Sequence, residues 1–277
     1  MKKIIKTLGL GLGVALTAST LTACGSDTLV VYTEAGFAPF EYTKDGKIQG
    51  VDVDIMNLVG EELGKEVVFK NVAFDTIIDV VGAGKLANVG AAGISVTEER
   101  AKKVNFSTEY YQANLYVIYN KDNGITSSVM SDSNTGVYWS DLSIEKPIGV
   151  QTGTTADFFL GDELAEGGSL EGGSAKYYDS LAVGVNAIGN SIDYVIIDEL
   201  PAKKLCEGNS KLACLPLYYE GGEGEDDILA CDSYAIAVTK GEDEILNAIN
   251  KVLADLLKKD EDGETGIDKL VSKHLGV

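Results

Sequence analysis

Positive charge is scarce in this chain. Its 277 residues hold 23 Lys and Arg against 43 Asp and Glu, a net charge of −20 at neutral pH, and only one basic residue, Arg100, is an arginine. A field of that sign repels phosphate backbones and anionic lipid surfaces, which argues against nucleic acid as a partner and for solubility, and carries no information about fold. Histidine occurs once, as His274, in a segment that reads as a terminal helix with the ring in a surface role. The four cysteines, Cys24, Cys206, Cys214 and Cys231, are too few and too scattered for a metal centre of the CxxC type, so neither metal nor other cofactor is expected. Long apolar runs are also missing. The longest, residues 8–21, is short of the roughly 20 residues that span a bilayer as a helix.

That short run has a meaning of its own. Lys2, Lys3 and Lys6 precede it, giving the charged and apolar regions of an export signal. The sequence that follows, Leu21-Thr22-Ala23-Cys24-Gly25, resembles the lipobox of bacterial lipoproteins. The resemblance implies a signal peptide at 1–23, palmitate and further lipid on Cys24, and a short tether at 24–27, with the protein anchored outside the cytoplasm on the bacterial cell membrane. Several acyl chains anchor far better than one, since each buried CH₂ adds about 0.8 kcal/mol. The alternative is an ordinary signal peptide with an incidental cysteine. Export also permits disulfides, so one bridge and one spare thiol are expected among Cys206, Cys214 and Cys231. Cys206 with Cys214 closes the shortest loop, but all three pairings stay open.

From residue 28 onward, short β-rich runs alternate with amphipathic segments, the pattern of α/β architecture. Strands are expected at 29–33, 67–72 and 87–94, with helices at 52–63 and 76–81 between them. Residues 121–146 read as a polar loop. A second unit then places strands at 148–151, 176–179, 193–198 and 212–218 around helices at 155–160, 181–188 and 200–205, with a mobile loop at 161–174. Strands at 115–119 and 234–239 flank this unit and are hinge candidates. Helices at 243–259 and 267–275 are expected to pack back onto the first unit. No repeat of fixed short period is present.

Three corners carry candidate chemistry. Arg100 follows the strand ending at Ile94, at a helix start capped by Thr97. An arginine fork clamps a carboxylate through two parallel hydrogen bonds, which lysine does not match. The bland alternative is a surface arginine in a charged turn. In Gln151-Thr152-Gly153-Thr154-Thr155 a strand turns through glycine into a helix whose first amides lack intrahelical partners, a place for a carboxylate or simply a capped helix. Asp198 ends the apolar strand Tyr194-Val195-Ile196-Ile197, at the carboxyl edge where open sheets place ligands; it either receives an ammonium group or caps the next helix. Phe37 is a candidate pocket wall, whereas Phe40 beside Pro39 reads as core.

Several segments, taken jointly and in order, resemble the polar amino-acid family of extracellular solute-binding proteins that serve ABC transporters. They are Glu34-Ala35-Gly36-Phe37-Ala38-Pro39-Phe40-Glu41-Tyr42, Gly50-Val51-Asp52-Val53-Asp54-Ile55, and the stretch from Gly93-Ile94-Ser95 through Arg100 to Ser107 with Tyr110-Tyr111. Gly149 to Thr155, Asp198-Glu199 and Tyr234-Ala235-Ile236-Ala237-Val238 complete the set. The resemblance implies a type II periplasmic-binding fold, with two α/β lobes joined by a two-strand hinge. Lobe one would comprise 28–113 and 233–277, and lobe two 114–232. It further implies that Arg100 and Thr155 grip an amino acid's α-carboxylate, aided by backbone around Ser95 and Thr154. Asp198, with Ser95 and the Gly93 carbonyl, would take the α-ammonium; Phe37 and Phe74 would sandwich the side chain, and Glu34 would lie near its far end.

Gly93, Ala91-Ala92 and the long 121–146 linker depart from the family pattern and leave the substrate open. The implied partners are an amino acid ligand, an ABC transporter permease and, through Cys24, the membrane; the protein is expected to be a monomer without enzymatic activity. Two rivals are an enzyme on the same scaffold, dehydratase-like or peptidoglycan-lytic, and a sensory amino-acid-binding protein that reports to a receptor.

Overall fold

The structure is a computed structural model that describes residues 27–276. The expected signal peptide, the lipid site at Cys24 and all of the tether but Asp27 lie outside the described residues, as does Val277.

The strand Thr28–Thr33 buries Leu29, Val31 and Thr33 at alternate positions, the period of two that a strand imposes. It pairs in parallel with Glu66–Asn71 on one side and Val89–Gly90 on the other. Between the first two runs the helix Val51–Leu63, which turns Val51, Ile55, Met56 and Val59 into the core at helical spacing. Ala237–Val238 and Asn105–Phe106 add antiparallel strands and complete a five-stranded sheet. The helices Asp243–Leu256 and Gly266–Leu275 pack back onto Val51–Leu63, as expected.

A second, larger sheet is organised on the long strand Tyr111–Asn120. Tyr194–Asp198 and Leu212–Tyr219 flank it, both antiparallel. Ile148–Gln151 and Ala175–Tyr178 extend the sheet on one side, Thr135–Tyr138 and Ser128–Val129 on the other. The first four residues of Tyr111–Asn120 pair instead with Cys231–Tyr234, from Tyr111↔Tyr234 to Asn114↔Cys231. The chain thus leaves the first α/β unit along one strand and returns along its antiparallel neighbour, which makes two lobes on a two-strand connection. Phe40, fully buried, meets both connecting strands edge-on, its ring 4.9 Å from those of Tyr111 and Tyr234. Its expected core role stands, and it ties the small sheet of Gly36–Phe37, Glu41–Lys44 and Lys47–Gln49 to the hinge.

Several expectations are corrected. The strand expected over 87–94 is only Val89–Gly90, because Gly93 sits at φ +53° and turns the chain. The loop at 121–146 contains Ser128–Val129, Thr135–Tyr138 and the short helix Trp139–Asp141, with Trp139 buried; a four-residue strand beginning Thr-Gly is too short for periodicity to reveal. The helix expected to stop at 160 runs from Thr155 to Leu164, and the following turn buries Leu170. The strand expected over 234–239 is two pieces, Cys231–Tyr234 and Ala237–Val238, each paired to a different partner strand. The described cysteines are all free; Cys206 on a helix and Cys214 on a strand meet through their thiols without a bridge. His274 is not a surface residue. Its side chain is 6 % exposed, with Nε2 2.8 Å from Asp54 and Nδ1 3.1 Å from the Tyr42 hydroxyl.

Candidate ligand-binding site

Between the lobes, beside the hinge, lies a narrow cleft with about 20 Å³ of free space, lined by Glu34, Phe37, Glu41, Phe74, Ala92, Gly93, Ser95, Gln151, Thr154, Thr155 and Asp198. That is room for about one water, so the lobes must part to admit a ligand there. Every residue expected to touch the ligand lines it except Arg100, which stands behind it on the Ser95 and Gly153 carbonyls. Glu41, Gln151 and Ala92 had been given no ligand contact of their own.

The local sequence explains how each side chain arrives there. Glu34 and Phe37 follow the strand Thr28–Thr33 at its carboxyl end, and Phe74 opens the helix Phe74–Ala83. Gly93 donates its N–H to Asp52 Oδ2 at 2.9 Å, and Asp52 is held in turn by the Tyr110 hydroxyl. A Cβ on Gly93 would stand 3.0 Å from the Phe37 ring, so only glycine fits both the positive φ and this contact. Thr97 caps the helix Glu98–Lys103 through the Arg100 N–H, as read from the sequence.

Arg100 is 6 % exposed. Its Nη1 donates to the Ser95 carbonyl at 2.6 Å and its Nη2 to the Gly153 carbonyl at 2.8 Å, so one guanidinium ties the two lobes together. The rings of Phe74 and Phe158 each lie 5.6 Å from its central carbon. Burial lowers its pKa to about 10, while Asp232 and Asp198 oppose the shift, so it stays charged at neutral pH.

On the second lobe, Thr154 caps the helix Thr155–Leu164, and its hydroxyl also donates to the Gln151 carbonyl at 2.9 Å. Its side chain is therefore spent. Thr155 is the first residue of that helix, and its hydroxyl lies 3.2 Å from the Ser95 hydroxyl across the cleft. Both hydroxyls bond Asp232 Oδ2, at 2.7 Å from Ser95. Asp232 went unnoticed in the sequence, where nothing marks a lone aspartate within a short strand.

Asp198 precedes the helix Glu199–Glu207 but makes no capping bond, and its buried Oδ1 has no hydrogen-bond partner. The bland capping role therefore fails. Burial, then the charge of Asp232, pushes its pKa well above the carboxylate range. Glu41 is fully buried beside Asp52, and burial with the charges of Asp52 and Glu34 raises it strongly. Burial raises Glu34 as well, against the Gly36 N–H and Gln151, which stabilise its charge. Glu34, Glu41, Asp198 and Asp232 thus crowd this region, with Asp52 beside Glu41 and Arg100 the cation held among them.

Among the described residues no His/Cys/Asp/Glu group has the makings of a metal site, and no helix is long and apolar enough to cross a membrane.

Comparison with known proteins agrees with this architecture. Residues 29–276 match the family model of bacterial extracellular solute-binding proteins, family 3. The arginine-binding periplasmic protein of Mannheimia haemolytica is 32 % identical over 60 % of this chain and 59 % of its own. An amino acid ABC transporter substrate-binding protein from Streptococcus pneumoniae, solved with L-arginine bound, superposes with a TM-score of 0.72 at 30 % identity, covering 90 % of this chain and 95 % of that one. An ancestral arginine-binding protein bound to glutamine superposes equally well, at 29 % identity over 91 % of this chain and 99 % of its own. The two lobes are thus those of the type II periplasmic-binding fold.

Proposed function

Because this chain belongs to the bacterial extracellular solute-binding proteins of family 3, which capture amino acids outside the cytoplasmic membrane for ABC transporters, we propose that its ligand is an amino acid with a cationic side chain, arginine in the first place. The observation that carries the reading is the pair Glu34 and Glu41 in the cleft wall, each with its pKa raised by burial. A desolvated carboxylate is costly unless a cation meets it, and a guanidinium or ammonium at the end of a side chain supplies that cation. The arginine-binding names of the relatives point the same way.

In this reading the α-carboxylate rests on Ser95, Thr155 and Arg100, and the α-ammonium on Asp198 with the Gly93 backbone. Phe37 and Phe74 enclose the aliphatic stem, and the backbone at Thr154 completes the carboxylate end, its hydroxyl being engaged elsewhere. Groups from both lobes touch one ligand, so closure is stabilised by the ligand's preference for the closed state. We divide the lobes at 28–113 with 233–277, and 114–232, the hinge being the paired strands between them. No bond is made or broken: the site is a binder and not a catalyst, and the protein works as a monomer. Export and lipid attachment at Cys24 complete the proposal, holding the protein beside its permease.

Thermal unfolding of the chain lacking residues 1–23, refolded to strip carried-over ligand, tests this against the twenty amino acids and their decarboxylated amines. A ligand that binds only the native state raises its melting temperature. The largest rise is expected with L-arginine, then L-lysine or L-histidine; a rise with neutral amino acids only would refute the cationic assignment.

A further inference from the structure

The carboxylate seat proposed for the ligand is already in contact with a carboxylate of the protein. Asp232 stands on the returning hinge strand Cys231–Tyr234, opposite Ala113 of the outgoing strand. A single oxygen, Oδ2, accepts hydrogen bonds from the hydroxyls of Ser95 and Thr155. Ser95 belongs to the turn after Val89–Gly90 of the first sheet, and Thr155 opens the helix that follows Ile148–Gln151 of the second. One aspartate therefore bridges the two lobes from the hinge. Its charge is felt by Arg100, and its second oxygen, Oδ1, is buried without a hydrogen-bond partner. Two hydroxyls from opposite lobes and a buried guanidinium are the donor set that an amino acid's α-carboxylate needs; Asp232 bonds both hydroxyls and feels the charge of the guanidinium.

We propose that Asp232 is an internal surrogate for the ligand's α-carboxylate: it holds the lobes together in the free protein and competes with the incoming amino acid for Ser95 and Thr155. This rests on the reading of Ser95, Thr155 and Arg100 as the carboxylate seat. The closed state is then not produced by ligand alone, and ligand affinity reflects the difference between two carboxylates rather than the full strength of one. An amine lacking the carboxylate loses less than a vacant clamp would demand, because Asp232 keeps its place. A bare structural buttress, by contrast, would orient the two hydroxyls for the ligand, and its removal would weaken binding.

Asp232→Ala and the closely isosteric Asp232→Asn separate these roles, each checked for folding by circular dichroism. Small-angle X-ray scattering compares the ligand-free proteins, and calorimetry measures L-arginine and agmatine, its decarboxylated amine. Both variants are expected to be more extended than the wild type when free. L-arginine should bind them more tightly, by about tenfold for Asp232→Ala, the scale of one charge-assisted hydrogen bond, while agmatine gains no comparable affinity. L-arginine binding that is unchanged or weaker in both variants overturns the proposal and leaves Asp232 as a buttress. If wild type and variants alike bind no amino acid, the ligand reading has failed separately, and scattering alone decides: expansion of the free variants upholds the bridge, identical curves overturn it.

Discussion

Replacing Arg100 by lysine keeps the charge and removes the fork, so it isolates what the geometry contributes. The guanidinium spans two carbonyls on opposite lobes, at 2.6 Å and 2.8 Å, while lying between the rings of Phe74 and Phe158. A single ammonium reaches one carbonyl at best from that position, and it sheds its hydration less readily than a guanidinium does. Loss of one charge-assisted hydrogen bond, with a buried carbonyl left behind, costs about 1.5–3 kcal/mol. If the same group also receives the ligand's carboxylate, a second loss of about that size falls on binding alone. Affinity for L-arginine is then expected to drop by about 10- to 100-fold. The ligand-free protein should lose only the first contribution, and only as far as its lobes are closed. Isothermal calorimetry with a paired thermal unfolding scan reads the two separately. A dissociation constant within about fivefold of the wild type refutes the carboxylate assignment, on the premise that a bidentate clamp is worth at least a decade; a lowered melting temperature beside that unchanged constant would leave Arg100 as a tie between lobes and nothing more.

Three further outcomes are expected. Glu34→Gln should weaken L-arginine by about 10- to 100-fold, the range for a hydrogen bond to a charged group, and L-glutamine far less; equal losses for both would mean that Glu34 supports the wall without reading charge. Gly93→Ala should lower the melting temperature and the affinity together, since a Cβ at φ +53° costs about 1–2 kcal/mol and meets Phe37 at 3.0 Å; a variant with wild-type stability and binding would show that the turn relaxes freely. Stability should also rise as pH falls from about 8 to about 5. Glu34, Glu41, Asp198 and Asp232 are raised above their unfolded values, and Asp52 to about 6, so in this window the folded state binds more protons than the unfolded one. Below the ordinary carboxylate range the trend reverses, because Asp132, Asp227, Asp260 and Asp268 are lowered in the fold by their hydrogen bonds. Binding of L-arginine should move the other way as the cleft carboxylates take up protons. A melting temperature that declines steadily from pH 8 to pH 5 would contradict this balance.

Much of this was legible before the structure, and the reason differs by element. Val51, Ile55, Met56 and Val59 announce a helix because their spacing is what buries them, and Leu29 with Val31 announces a strand in the same way. Arg100, Thr155 and Asp198 stood out because each sits where a strand ends and a helix begins, and both lobes use that same edge. Thr135–Tyr138 was invisible because its pairing partner, Leu212–Tyr219, is far off in sequence and the strand itself is four residues long. His274 looked peripheral because position in a terminal helix says nothing of what packs over it; Tyr42 and Asp54 do, and both come from the opposite end of the chain. Asp232 and Glu41 were missed for a common reason. A carboxylate's role is set by what desolvates it, and burial of that kind comes from tertiary closure that no local pattern encodes.

In the closed structure Glu34, Glu41, Asp198 and Asp232 are all pushed towards their protonated forms by burial, and the charge of Arg100 opposes this only in part, at Asp198 and Asp232. At neutral pH such a set opposes the closure that the Asp232 bridge favours, because buried carboxylates are tolerated only when paired or protonated. A zwitterion with a cationic side chain brings two positive groups and one negative into the same space, a net gain of the sign the cleft is short of. Charge compensation then adds to the Asp232 bridge in favouring the closed state, and a neutral amino acid of the same shape would supply the contacts while leaving part of the charge imbalance in place. Selectivity for a cation in this reading comes less from any single salt bridge than from the cost of closing the lobes without one.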